Sequence, residues 1–115
     1  MADEIQLSNI VAIVNAGFGD TVMETAKKLG ARGGTIIEAS GTVSKDAAQL
    51  YGITVNPEKE IILILIKKDL ANAMLSGLYD VHGQESEAQG TFFSLPVEFA
   101  SENLYQQYKK KEKEE

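Results

Sequence analysis

Apolar residues along this chain of 115 residues fall in consecutive runs rather than at alternating positions. Residues 10–14 read Ile-Val-Ala-Ile-Val, and residues 61–66 are six consecutive aliphatic side chains. Branched apolar runs of this length predict strands, here at about 9–14 and 61–66. Shorter apolar segments predict two more strands, at about 35–39 and 91–95, the last ending before a proline.

Apolar residues at helical spacing predict two helices between these strands. The first helix is expected to begin with Asp20 or Thr21 as its N-cap and to end at Gly30. The second is expected to begin at Asp69 and to end at Gly83.

The predicted order is strand, helix, strand, strand, helix, strand. This order predicts an α+β fold, the ferredoxin-like β-α-β-β-α-β sandwich, an antiparallel sheet with both helices on one face. Strands in a sheet with one solvent-exposed face should alternate apolar and polar residues. The runs at 10–14 and 61–66 do not alternate in this way. We therefore expect the other face to pack against copies of the chain in a closed homo-oligomer.

Length favours a single domain, which we expect to span residues 1–105. Lys and Glu side chains dominate the C-terminus, so residues 106–115 are expected to form a charged, flexible tail. Residues 41–57 are predicted to form a long loop, and loops of this length inside a small domain are often functional. Tyr51 lies in this loop, and we interpret it as an anchor that packs the loop down.

The amino-acid composition limits the kinds of function that we expect. The chain has no cysteine and one histidine, and it shows no carboxylate pair or metal-ligand spacing. We therefore expect no enzyme activity, no metal and no cofactor. A formal net charge of −6 disfavours binding to nucleic acid. No apolar run is long enough for stable membrane insertion and no signal peptide is recognisable, so a cytoplasmic location is expected.

Glycines mark the candidate binding segments. Residues 30–42 contain four glycines around a short strand, with the only arginine, Arg32, at its start. Such glycines let a backbone approach a ligand or another subunit closely. Gly90 and Thr91 could present backbone N–H groups to a phosphate. The loop before them has no lysine or arginine, so our hypothesis is that Arg32 supplies the cation. Gly17-x-Gly19 matches only part of a dinucleotide fingerprint and favours a strand-to-helix turn.

His82 stands at the predicted end of the second helix, beside a glycine. We interpret it as a cation that caps the C-terminus of this helix.

Residues 10–14, 30–42, 61–68 and 90–97 together resemble the P-II nitrogen-regulatory signal proteins and their P-II-like relatives, over about residues 9–97. The resemblance implies a homotrimer that binds a small effector, in the family an adenine nucleotide, in the clefts between subunits. It also implies regulation of a partner protein, such as a transporter or a metabolic enzyme, in nitrogen metabolism.

The resemblance implies a ligand site between the loop after the second strand and the loop before the fourth. Its matching positions are Thr35, Gly41, Thr42, Ile64, Gly90 and Thr91, with Arg32 added as the cation. The chain departs from the family in a shorter loop after the second strand. It also has Glu58 where the family has a lysine, and no lysine before its fourth strand.

Three alternatives stay open. The pattern Gly-x-x-Phe-x-Leu-Pro-Val at residues 90–97 is also similar to P-II-like receptors for cyclic di-AMP. A ligand-free oligomeric interaction module would explain the apolar strands alone. An enzyme acting in the cleft would be expected to lose turnover when Arg32 or Glu38 is replaced.

Overall fold

The computed structural model describes residues 5–42 and 57–114, with side chains described up to residue 109 of the last helix. Tyr51 and most of the predicted loop lie outside the described residues. The described elements, in chain order, are β1 (Leu7–Asn15), α1 (Gly19–Lys28), β2 (Thr35–Ser40), β3 (Glu58–Lys67), a 3-10 turn (Lys68–Leu70), α2 (Ala71–His82), β4 (Thr91–Val97) and α3 (Glu102–Glu114). The predicted α+β class and element order are confirmed, and the described part contains α3 in addition.

The strands form one antiparallel sheet in the order β2-β3-β1-β4. The two longest apolar runs therefore pair with each other in the centre, from Leu7 opposite Lys67 to Asn15 opposite Lys59. β4 continues through Pro96 instead of ending before it. An edge strand tolerates proline because only one of its sides takes part in the ladder.

Both predicted helices lack the side-chain caps expected of them. α1 begins at Gly19, and its N-cap residue, Phe18, makes no side-chain cap hydrogen bond. Asp69 belongs to the 3-10 turn that leads into α2, rather than to the N-cap of an α-helix. Tertiary packing thus fixes where these helices start, as is common for amphipathic helices.

Even-numbered strand residues form the core with α1 and α2. Ile10, Ile62 and Ile64 are 0% exposed and pack with Val22 and Leu78. Fully burying an aliphatic side chain of this size contributes about 1.5–3 kcal/mol to stability. This layer is the hydrophobic core of the subunit.

The opposite face of the sheet is also apolar and is partly open. Phe93 and Leu95 on β4 are 40% and 49% exposed, and Ile37 on β2 is 42% exposed. α1 and α2 lie on the other side of the sheet, as predicted. Helix α3 lines a groove on this second face, beside β2 and β3.

The proposed division between a domain ending at residue 105 and a tail stays a prediction. In the structure, residues on both sides of that point belong to one helix, α3. Within it, Tyr108 is 7% exposed. The sequence does not indicate the burial of Tyr108, because charged residues dominate the segment after it.

Candidate functional site

One end of the sheet gathers two of the segments that the resemblance assigns to ligand binding. β2 leads into Gly41 and Thr42 at this end, and β4 starts here with Gly90 and Thr91. Register pairs Thr91 with Ile13 and Ser40 with Glu58, close to the Asn15–Lys59 pair at the end of β1.

The two segments nevertheless lie at opposite edges of the sheet. β2 and β4 are separated by β3 and β1. Three strand spacings of about 4.8 Å place the segments roughly 14 Å apart. A small ligand in contact with both segments would therefore need the β2 side of one subunit and the β4 side of another.

Arg32 and Thr35 lie at the other end of β2. Thr35 pairs with Leu63 as the first residue of that strand. The length of β2 separates them from Gly41 by about 17–20 Å. Both line a groove against α3 that also includes Tyr108. The structure thus divides the predicted site residues into two groups.

Ile64 belongs to neither group. Its side chain is fully buried and lies on the sheet face covered by α1 and α2. It pairs with Ile10 on β1. Its side chain is therefore a core element and cannot line a cleft on the open face.

Lys59 is a cation at the loop end of the sheet that was not among the predicted site residues. Its Nζ donates a hydrogen bond of 2.7 Å to Asn15 Oδ1. Its aliphatic stem passes beside Gly41, where an added Cβ would lie 3.2 Å from Lys59 Cγ and Cε. Lys59 thus contacts the exit of β2 and the end of β1. The feature that could have identified this contact is the strand register, which places Lys59 opposite Asn15.

Asn15 connects Lys59 to the loop before β4. Its Nδ2 donates to the carbonyl oxygen of Glu87 over 2.9 Å and to Gln89 Oε1 over 3.3 Å. Its backbone N–H donates to the carbonyl oxygen of Ala88 over 2.9 Å. A buried side chain with partners on both sides holds this loop in place against the strands.

Glu60 accounts for the Gly17-x-Gly19 turn. Its Oε1 accepts hydrogen bonds from the backbone N–H groups of Gly17 (3.2 Å) and Gly19 (2.7 Å). A carboxylate thus satisfies amide groups at the start of α1, where negative charge is favourable. The prediction of a strand-to-helix turn is therefore supported. These amides already have an anionic partner within the subunit.

Gly90 has a structural reason to be glycine. Its N–H donates to the carbonyl oxygen of His82 over 2.8 Å. An added Cβ would overlap that oxygen and the ring of Phe92. The N–H therefore closes the end of α2 rather than pointing at a phosphate. Thr91 Oγ1 next to it accepts a hydrogen bond of 3.0 Å from Gln84 Nε2.

The interpretation of His82 as a cationic cap is wrong. The ring is buried, and its Nε2 lies 2.8 Å from Thr25 Oγ1 on α1. Burial lowers the pKa of His82, because desolvation disfavours the charged imidazolium. A neutral ring therefore links α1 to α2.

Tyr108 is the aromatic side chain of the groove. Burial raises the pKa of its hydroxyl, while the nearby Arg32 opposes that rise. The hydroxyl is therefore protonated at neutral pH and donates to the carbonyl oxygen of Leu65.

Within residues 5–42 and 57–114, no group of three or more His, Cys, Asp or Glu side chains could hold a metal ion. The helices in this part of the chain are too short or too polar to cross a membrane.

No family model matches the chain, and no curated protein matches it. Solved structures do match. The PII protein of Arabidopsis thaliana bound to citrate is 23% identical, with a TM-score of 0.59 over 84% of this chain and 79% of that one. The PII-like protein CPII of Thiomonas intermedia, bound to ADP, AMP and bicarbonate, is 15% identical, with a TM-score of 0.62 over 84% and 94%.

The divalent ion tolerance protein of Ehrlichia chaffeensis is also similar, at 11% identity and a TM-score of 0.65 over 89% of this chain and 91% of that one. The fold alone therefore does not select one function. The likeness predicted from the sequence is confirmed at the level of architecture: this chain has the ferredoxin-like fold of the P-II and P-II-like proteins.

Proposed function

We propose that the protein is a P-II-like, non-enzymatic regulator that binds a small anionic effector between the subunits of a homotrimer. The observation that carries the proposal is the position of the two loop segments. Gly41 and Thr42 share one end of the sheet with Thr91, but at the opposite edge. Each subunit thus offers two half-sites rather than one pocket.

A cyclic trimer would bring the two halves together. In such a trimer, the β2 edge of one subunit would lie beside the β4 edge of the next. The open face supplies apolar surface for such an assembly, because Phe93, Leu95 and Ile37 are all at least 40% exposed in the subunit.

Lys59 supports an anionic ligand. Its ammonium group lies at the loop end of the sheet, between Gly41 and the Asn15-bound loop. Glu85 and Glu87 lie in that loop, which has no lysine or arginine. Among the described residues at this end, Lys59 also has Glu58 and Glu60 beside it on β3. This excess of carboxylates favours a nucleotide with one or two phosphates over ATP, because repulsion grows with the phosphate charge.

Arg32 and Thr35 remain proposed ligand residues at the other end of β2. In regulation, ligand binding would change how residues 41–57 contact a partner protein. We propose a transporter or a metabolic enzyme as that partner, in a cytoplasmic pathway of nitrogen metabolism. A ligand achieves this through unequal affinity for two conformations.

A thermal-shift and calorimetric screen with AMP, ADP, ATP, cyclic di-AMP and citrate tests the ligand proposal. AMP or ADP should raise the melting temperature, because a ligand that binds the native state stabilises it. Lys59→Met should weaken that binding by about tenfold or more, as expected for loss of a charge-assisted contact.

Lys27→Met is the matched control, because Lys27 is an exposed lysine near the end of α1. It should bind as the unaltered protein does. Equal weakening by both variants would show only a general charge effect and would contradict a site at Lys59. Tighter binding of cyclic di-AMP than of AMP or ADP would favour the cyclic dinucleotide receptor.

One observation favours a second candidate, the ligand-free oligomeric module. The N–H groups of Gly17, Gly19 and Gly90 all have partners within the subunit. Three glycine amides that could have bound phosphate are therefore already satisfied. An absence of heat and of thermal shift with every compound in the screen would select this alternative.

A further inference from the structure

Helix α3 lies against the open face of the sheet in its own subunit. Its residues Leu104, Gln107 and Tyr108 are spaced as one stripe along a helix. They line a groove of about 540 Å³ together with Asn9, Leu63 and Leu65. These three sheet residues have odd numbers, so they lie on the face opposite α1 and α2.

Tyr108 makes the most specific contact of this helix. Its hydroxyl donates to the carbonyl oxygen of Leu65. Leu65 lies two residues beyond Leu63, which pairs with Thr35, the first residue of β2. β2 therefore does not reach the edge of β3 at Leu65. The hydroxyl supplies the partner that a strand would otherwise supply to this carbonyl.

Arg32 holds the same helix from the side. Its guanidinium carbon lies 5.4 Å from the centroid of the Tyr108 ring, within the range of a cation–π contact. Its Nη1 also donates to the carbonyl oxygen of Gln107 over 2.9 Å. Arg32 itself is exposed, so water weakens both contacts.

The fit between α3 and the sheet is incomplete. Asn9 Oδ1 is buried beneath the groove and has no hydrogen-bond partner in the part of the chain that the structure describes. Leaving a buried acceptor unpaired is unfavourable. Among residues 102–109, only Tyr108 is buried. Few buried contacts and one unpaired acceptor are typical of a segment that detaches easily.

We propose that α3 is a displaceable strap that covers, in the single subunit, part of the face that the trimer needs. The inference rests on the proposed homotrimer. Assembly would compete with the strap for the surface around Leu63 and Leu65. Weakening the strap should therefore promote assembly rather than impair it.

Sedimentation velocity over a range of protein concentrations, without added ligand, tests this inference. Tyr108→Phe removes the hydroxyl but keeps the ring. It should lower the concentration of half-assembly by about fivefold or more, the equivalent of one net hydrogen bond. Arg32→Gln should shift assembly in the same direction and, being exposed, should leave folding intact.

Tyr79→Phe is the matched control, because Tyr79 lies on α2 and is 56% exposed. It should leave assembly unchanged. If Tyr108→Phe and Arg32→Gln assemble no more readily than the unaltered protein, the strap inference is overturned while the trimer stands. If neither the unaltered protein nor any variant associates at any concentration, both the trimer and the strap inference are overturned.

Discussion

Lys59 Nζ and Asn15 Oδ1 are joined by a hydrogen bond of 2.7 Å at the end of the sheet where β1 finishes and β3 begins. Asn15 also donates from Nδ2 to the loop before β4. One buried amide thus connects the candidate cation to the candidate loop, so each should depend on the other.

Replacing Asn15 by Ala should destabilise the protein, because the change leaves the Glu87 carbonyl and the Lys59 ammonium without this partner. We expect a loss of about 1–3 kcal/mol in the free energy of unfolding. Urea denaturation followed by circular dichroism measures it. Asn72→Ala on the exposed surface of α2 is the control and should stay within about 0.5 kcal/mol. Equal effects of the two variants would contradict a structural role for Asn15.

Gly90→Ala should be poorly tolerated, since the added methyl group would overlap the His82 carbonyl oxygen and the Phe92 ring. Relief requires the loop to move and the Gly90 N–H bond to lengthen. We expect a loss of about 1–3 kcal/mol, measured as a shift in the urea midpoint.

Gly33→Ala provides the comparison, because an added Cβ there meets nothing within 4 Å. It should leave the midpoint nearly unchanged. A Gly90→Ala protein as stable as the Gly33→Ala protein would show that the loop before β4 adapts freely.

His82 should make stability depend on pH near neutrality. Its pKa is lowered in the folded protein, whereas in the unfolded chain it stays near about 6.5. Between those two values the unfolded state binds more protons, so stability rises with pH. The contribution is complete above about pH 6.5 and is lost as the pH falls toward the lowered pKa of the folded state.

Urea midpoints measured between about pH 5 and pH 8 test this dependence. His82→Gln should flatten the part of the profile that His82 contributes, because glutamine does not titrate in this range. Thr25→Val, which removes the hydroxyl beside the ring, keeps the imidazole and should keep the slope. An unaltered slope in His82→Gln would assign the pH dependence to other groups.

Leu95→Asn should prevent assembly without unfolding the subunit. Leu95 is 49% exposed on the open face, so a polar residue costs little in the single subunit but is unfavourable in an apolar interface. Light scattering should then give a mass near 12.5 kDa. Val81→Asn, at a side chain 54% exposed on α2, should retain the assembly of the unaltered protein. Loss of assembly in Val81→Asn but not in Leu95→Asn would indicate that the interface lies on the face formed by α1 and α2.

The central strands were predictable because their apolar runs are short and rich in β-branched residues, which favours strands over helices. Residues 10–14 and 61–66 became the two central strands, paired with each other. The prediction that β4 ends before Pro96 was wrong because proline interrupts a ladder only on a side that is paired, and β4 is an edge strand. The sequence pattern does not show which strand is an edge.

Site residues were harder to predict than elements. A resemblance places Ile64 in a strand, but only the pleat determines which face its side chain occupies, and here it is the core. The proposed role of Lys59 could not be anticipated from its neighbours along the chain, Glu58 and Glu60. Its actual partner, Asn15, is distant in sequence and adjacent only through the register.

The position of β2 and β4 at opposite edges of the sheet has a consequence for the proposed regulator. A site shared between two subunits exists only in the assembled protein. In the proposed homotrimer, ligand binding and assembly would therefore be thermodynamically linked, and each would strengthen the other by the same factor. Dilution would lower the apparent affinity for the ligand, and ligand would hold the oligomer together at low protein concentration. Such a regulator responds to its own abundance as well as to that of its effector.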